Sequence, residues 1–209
     1  LGLMKLIFHP TILFIGICGG LMVGSLEGFA DVWAMPFFSQ IYGFSDYQST
    51  FIASVIFIGM CFGGPILAYL SEMIVSMHLM VFLTGVIVAI IFAILFYCSS
   101  LSALSSMILM FVLGILCCYQ VLVFSIAGSM VPRSQAGVAI AIINCINMSF
   151  GHFFHVIISS MMQNDWDGAL GTTLAPIYTH SNYINALSAI PICCVIGSLG
   201  FLYLARKKK

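Results

Sequence analysis

Charge is what this chain has least of. Six basic and six acidic side chains make up 6% of 209 residues, against a 62% hydrophobic composition and a mean hydropathy of +1.19. A soluble domain carries charge on about a quarter of its residues, so this scarcity excludes one, and leaves no basic surface of the kind that binds nucleic acid. The alternating segments of about ten residues that a membrane barrel requires are also absent. The apolar runs are continuous and longer than 18 residues, which in lipid calls for helices. The fold class expected is all-α, a polytopic membrane protein.

Further absences narrow the chemistry. The eight cysteines, at 18, 61, 98, 117, 118, 145, 193 and 194, show no CxxC spacing and lie within or at the ends of apolar runs, which reads as packing rather than disulfides or metal ligation. There is no GxSxG elbow, no paired-aspartate helix motif and no HExxH, so neither an enzyme nor a metal or organic cofactor is expected. No cleavable signal peptide is visible, because the first apolar segment is too long. The chain opens at Leu1 rather than methionine, as a piece of something longer would.

What is present divides into six spans within one domain, 1–209, at about 11–37, 48–70, 77–98, 102–131, 135–162 and 184–204. Threading them puts all six cations on one face: Lys5 before the first, Arg133 between the fourth and fifth, Arg206 to Lys209 after the sixth. That is the positive-inside pattern, and it places both termini in the cytoplasm. Asp46, Asp165 and Asp167 fall on the opposite face and Glu72 on the cationic one. Trp33, Trp166, Tyr42, Tyr47, Tyr97, Tyr178 and Tyr183 gather near outer ends, Tyr69 and Tyr203 near inner ends, as interfacial belts. Loops are short except 163–183, so sequential spans are expected to pack as antiparallel neighbours.

Two acids, Glu27 and Asp31, lie inside the first span. Four residues apart on a regular helix, they share a face within about 40° of each other, a face that also carries Gly20 and Gly24. They should therefore point into the protein, where a carboxyl near the bilayer centre usually persists for function. The glycines at 16, 20, 24 and 28 recur every four residues and Gly59 and Gly63 repeat the device in the second span, surfaces on which another helix backbone can sit closely. Pro36 is expected to bend or end the first span.

The fifth span offers His152 and His155 three residues apart, with Asn144 and Asn147 below them. Counting from span midpoints, Glu27 and His152 lie about 5 Å toward the outer face and Asp31 and His155 about 10 Å. Matching depths suggest a proton-responsive cluster of Glu27, Asp31, His152 and His155, because imidazoles change charge near neutral pH. The histidines could instead hydrogen-bond backbone or the asparagines, and a zinc site is the weakest alternative. Tyr119 and Gln120, at mid-membrane in the fourth span, either line a solute site or satisfy one another across helices.

GFADVWAMPFFSQIYGFS at 28–45, FIGMCFGGPILAYLSE at 57–72, SQAGVAIAIINCIN at 134–147 and YTHSNYINAL at 178–187 resemble, in order, the carboxy-terminal half of a bacterial major facilitator superfamily transporter. The resemblance covers 10–205. Gly63, Gly64 and Pro65 fit the start of that family's cytoplasmic-loop signature and Glu72 its acidic position; the basic residue that follows is absent, Met73 standing there, with His78 near where further basic residues would be. The resemblance implies a six-helix half built from two inverted three-helix repeats. The first and fourth spans would line the cavity, the second and fifth lie beside the interface with the other half, and the third and sixth outside, with the first and fifth as neighbours.

The function expected is that of half a secondary active transporter in the bacterial inner membrane, moving a small polar solute by alternating access with proton coupling. Its partners would be the solute, protons, the lipid bilayer, and an amino-terminal half or a second copy. Competing readings are an intramembrane hydrolase and a solute-binding subunit of a larger transporter. The absence of cations within the spans favours a neutral or cationic solute.

Overall fold

The computed structural model describes residues 3–73, 76–98, 100–171 and 176–207. Among these every regular element is helical. A short α1 (Leu3–Ile7) precedes six helical segments long and apolar enough to cross a membrane: Pro10–Tyr42, Asp46–Met73, Met77–Tyr97, Ala103–Ser129, Arg133–Asn164 and His180–Lys207. All six fall where the hydrophobic runs place them, several extending a turn further at the ends.

Local chemistry sets the boundaries. The Ser102 hydroxyl accepts the Ser105 amide at 3.2 Å to start the fourth span. Thr179 and Asn182 form a capping box at the start of the sixth. Gly43, at φ +68°, ends the first span in the left-handed conformation a helix C-terminus favours.

Three spans are broken. The first comprises α2 (Pro10–Met22), a 3₁₀ turn (Val23–Ser25), eight residues of π-helix (Leu26–Trp33) and α3 (Ala34–Tyr42). The fourth breaks at Cys118 into α6 (Ala103–Cys117) and α7 (Tyr119–Ser129), and the sixth at Ser188 into α9 (His180–Leu187) and α10 (Ala189–Lys207). The second, third and fifth spans are carried by α4 (Asp46–Met73), α5 (Met77–Tyr97) and α8 (Ala136–Asn164), each without a break. Pro36 does not end the first span: it is the third residue of α3, which follows the π-helical segment directly and runs on to Tyr42.

Short loops do not decide the packing. The closest seams join non-sequential spans: α4 with α6, α5 with α10, α2 with α10, and α2 with α8. Small residues decide it, because helices in lipid associate where their backbones can approach. A Cβ on Gly59 would collide with the Phe111 carbonyl oxygen, and one on Gly114 with that of Ile56. Gly85 meets Ser198, and Gly197 meets the Cys18 carbonyl.

The first span is the hub, with 65% of its most apolar stretch buried against 28% for the fifth. Its outer half is held by aromatic rings. Phe29 sits edge-on to Phe37 at 5.7 Å and Phe92 at 5.2 Å, and Phe37 to Phe96 at 5.7 Å and Tyr183 at 5.5 Å. Trp33 and Tyr183 are buried in this cluster instead of standing in an interfacial belt, whereas Tyr47, Tyr69, Tyr97 and Tyr203 are exposed at span ends. All eight cysteines are free thiols, and Cys18, Cys117, Cys118 and Cys194 are buried.

The ends of the bundle differ in charge. Pro10, His78, Met130 and Lys207 meet at one end, where Arg133 and Arg206 also belong. Gln40, Tyr42, Phe96, Tyr178 and His180 meet at the other, with Asp165 bound through its backbone carbonyl to Asn182.

Candidate functional site

The first and fifth spans run parallel with their residues in step. The four glycines of the first span receive four large side chains spaced equally along α8: Gly16 faces Ile146, Gly20 faces Phe150, Gly24 faces Phe154, and Gly28 faces Phe154 and Ile158. In return α8 supplies one bare position to the first span, Gly151, against which Glu27 lies. A Cβ on Gly151 would be 3.1 Å from Glu27 Cγ.

Both acids stand in the π-helical segment. A turn closed by i→i+5 bonds takes about 4.4 residues, so a four-residue step stops about 33° short of a full turn and the two acids still lie close to one face. Glu27 is half-buried toward the fifth span as expected, but Asp31 is exposed and does not point into the protein.

His155 is half-buried and lies within electrostatic reach of both carboxyls. It forms no direct ion pair with either among the described residues. His152 is exposed on the outer surface of α8, so of the four expected residues Glu27 and His155 are half-buried and Asp31 and His152 are exposed. Asn144 is exposed as well.

Asn147 is completely buried, and neither its amide nitrogen nor its oxygen has a hydrogen-bond partner among the described residues. Its Oδ1 packs 3.5 Å from the position a Cβ on Gly19 would take. Next to it the Tyr119 hydroxyl donates to the Gly19 carbonyl at 2.9 Å, and Gln120 also reaches that hydroxyl. Tyr119 thus ties the fourth span to the first across a seam through a backbone carbonyl. Along α8, Asn147, Gly151 and His155 follow one another at intervals of four on a single face. The polar groups form a column: Tyr119 and Asn147 deepest, Glu27 at Gly151, His155 beyond, and Asp31 at the surface.

The loop-signature residues serve packing and the helix end. Gly63 faces the Ile115 carbonyl and Cys118 Sγ across the second seam, Gly64 faces open space, Pro65 lies inside α4, and Glu72 is exposed at its last turn. The histidine and acid ends of the column do not build a metal centre: among the described residues no group of three or more His, Cys, Asp or Glu side chains is placed to hold a metal ion.

Sequence reasoning missed the π-helical segment. Its signal is the density of small residues in GLMVGSLEGFA. Comparison with family models, with curated proteins and with solved structures found no match to this chain.

Proposed function

We propose that this chain is one half of a secondary active transporter of the major facilitator type, in a bacterial inner membrane, moving a small polar solute by alternating access with proton coupling. One observation carries the reading: a membrane-length span whose regular winding is interrupted where it carries two carboxyls, one of which, Glu27, packs on the bare Gly151 of a neighbouring span. Irregular backbone at membrane depth survives where it lines a cavity or is buried in protein, and π-helical turns concentrate at functional sites. Broken spans carrying ionisable groups near the midplane are how secondary transporters build coupling sites.

The helix pairing supports it. Exchanging the first three spans with the last three, one for four, two for five and three for six, turns the first–fifth seam into the fourth–second seam and leaves the third–sixth seam unchanged. That is the pairing an inverted repeat requires. The first and fourth spans, the pair assigned to the cavity, are both interrupted in their interior.

In this reading Glu27 and Asp31 take up and release the proton, with His155 setting how strongly each holds it. The amino-terminal half or a second copy covers the open surface of the first and fifth spans, where Asp31, Asn144 and His152 stand exposed. The test is uptake into proteoliposomes under an imposed proton gradient, using solutes chosen by thermal-shift screening of metabolites. Gradient-dependent uptake that Glu27→Gln abolishes supports the reading; hydrolysis of a substrate without net transport overturns it.

A further inference from the structure

A second site lies at the cationic end of the bundle. A cavity of about 410 Å³ opens there, lined by Pro10, Thr11, Phe14, His78, Met130, Tyr203, Leu204 and Lys207. Its walls come from both ends of the chain: the first turns of α2 on one side and the last turns of α10 on the other.

Three features converge on an anion. Lys207 puts an ammonium at the rim, with Arg206 beside it. Thr11 offers a hydroxyl. The N-terminus of α2, a thirteen-residue helix, lies at the same place, and His9 at its N-cap makes no side-chain hydrogen bond to the first-turn amides. Pro10 has no amide proton and the Leu13 amide bonds the His9 carbonyl, so the helix end offers an acceptor its positive pole and the amides of Thr11 and Ile12.

Apart from His78, the rest of the lining is apolar, with Met130 at the bundle end, Phe14 and Leu204 a turn further along their helices, and Tyr203 at 58% exposure beside Phe14, its ring centroid 6.1 Å away. A free inorganic anion has no use for such a wall, while an acyl chain does. The cavity also opens at the end of a bundle whose helices are long and apolar enough to cross a membrane, the level at which headgroups stand.

We propose that this cavity binds the phosphate of an anionic phospholipid, with Lys207, Thr11 and the α2 N-terminus holding the headgroup and Phe14, Leu204 and Tyr203 flanking its acyl chain. A basic pocket between membrane helices is a recognised setting for anionic headgroups. The inference does not depend on the transport reading.

The experiment is native mass spectrometry of the full chain released from nanodiscs holding phosphatidylglycerol and phosphatidylcholine in equal amounts. One phosphatidylglycerol molecule is expected to stay bound. Lys207→Gln and Thr11→Val should each reduce that adduct by roughly fivefold, about 1 kcal/mol, whereas Arg133→Gln, which removes a cation from the same end of the bundle but outside the cavity, should leave it. Retention of both lipids alike, no loss in Lys207→Gln, or an equal loss in Arg133→Gln would overturn the site. Displacement of the adduct by excess inorganic phosphate would assign the cavity to the free anion and overturn the lipid.

Discussion

Glu27 rests on the bare backbone of Gly151, and the fit leaves no room for a methyl group without movement: Cγ lies 3.1 Å and Oε2 3.4 Å from where that methyl would stand. The carboxyl is thereby held at a fixed level on the fifth span. Gly151→Val should displace it and lower gradient-driven uptake by roughly tenfold or more, as small displacements of coupled groups do. Wild-type uptake with the variant, at unchanged expression, would show that the Glu27 position is not used.

His155 follows Gly151 by four residues on α8, one turn along the face that receives Glu27, whereas His152 is exposed. His155→Gln should lower gradient-driven uptake while His152→Gln leaves it near wild type. Uptake lost in His152→Gln instead would transfer the role to the exposed ring.

Asn147 carries a cost in the conformation described, since a buried amide without partners forfeits about 1–3 kcal/mol. Replacing it by Leu, similar in size and without polar atoms, should raise the melting temperature by about 2–4 °C for each kcal/mol recovered, and reduce uptake if the amide meets solute or water elsewhere in the cycle. A fall in melting temperature would mean that the amide is satisfied in the resting protein.

Two glycines of similar sequence context separate packing from composition. Gly114→Ala drives a methyl into the Ile56 carbonyl and within 3.0 Å of the Gly59 Cα, and should part the second and fourth spans with loss of folded protein in detergent. Gly64→Ala meets nothing within 4 Å beyond its chain neighbours, and because the ring of Pro65 crowds a Cβ on the residue before it, the variant should keep the wild-type folded yield with little change in stability. Size-exclusion profiles and thermal melts of the two variants are the measurement.

The span count and approximate positions were legible because hydropathy over 18 residues is a local property that tertiary context does not reverse in lipid. The glycine rows were legible for the same reason: a gap of four residues states a face before its partner is known, and the Gly16-to-Gly28 row found the fifth span. What stayed hidden was non-local. Nothing in the spacing of Glu27 and Asp31 announces π winding, nor that Gly151 receives the first carboxyl while the second stays exposed. Loop length misdirected the pairing, since the second and fourth spans are brought together by Gly59, Gly63 and Gly114 across more than forty intervening residues. Trp33 and Tyr183 looked like interfacial anchors by position alone, and only the neighbouring phenylalanines reveal them as core.

The seam between the first and fifth spans is a rack with evenly cut teeth: sockets at 16, 20, 24 and 28, and pegs at 146, 150, 154 and 158. A rack of that kind fits itself again after sliding by one tooth, four residues or about 6 Å. The interior teeth re-engage, so the apolar surfaces barely distinguish neighbouring settings. The carboxyl does distinguish them. One notch in one direction carries Glu27 from Gly151 to the level of His155, and one notch in the other carries it to Asn147.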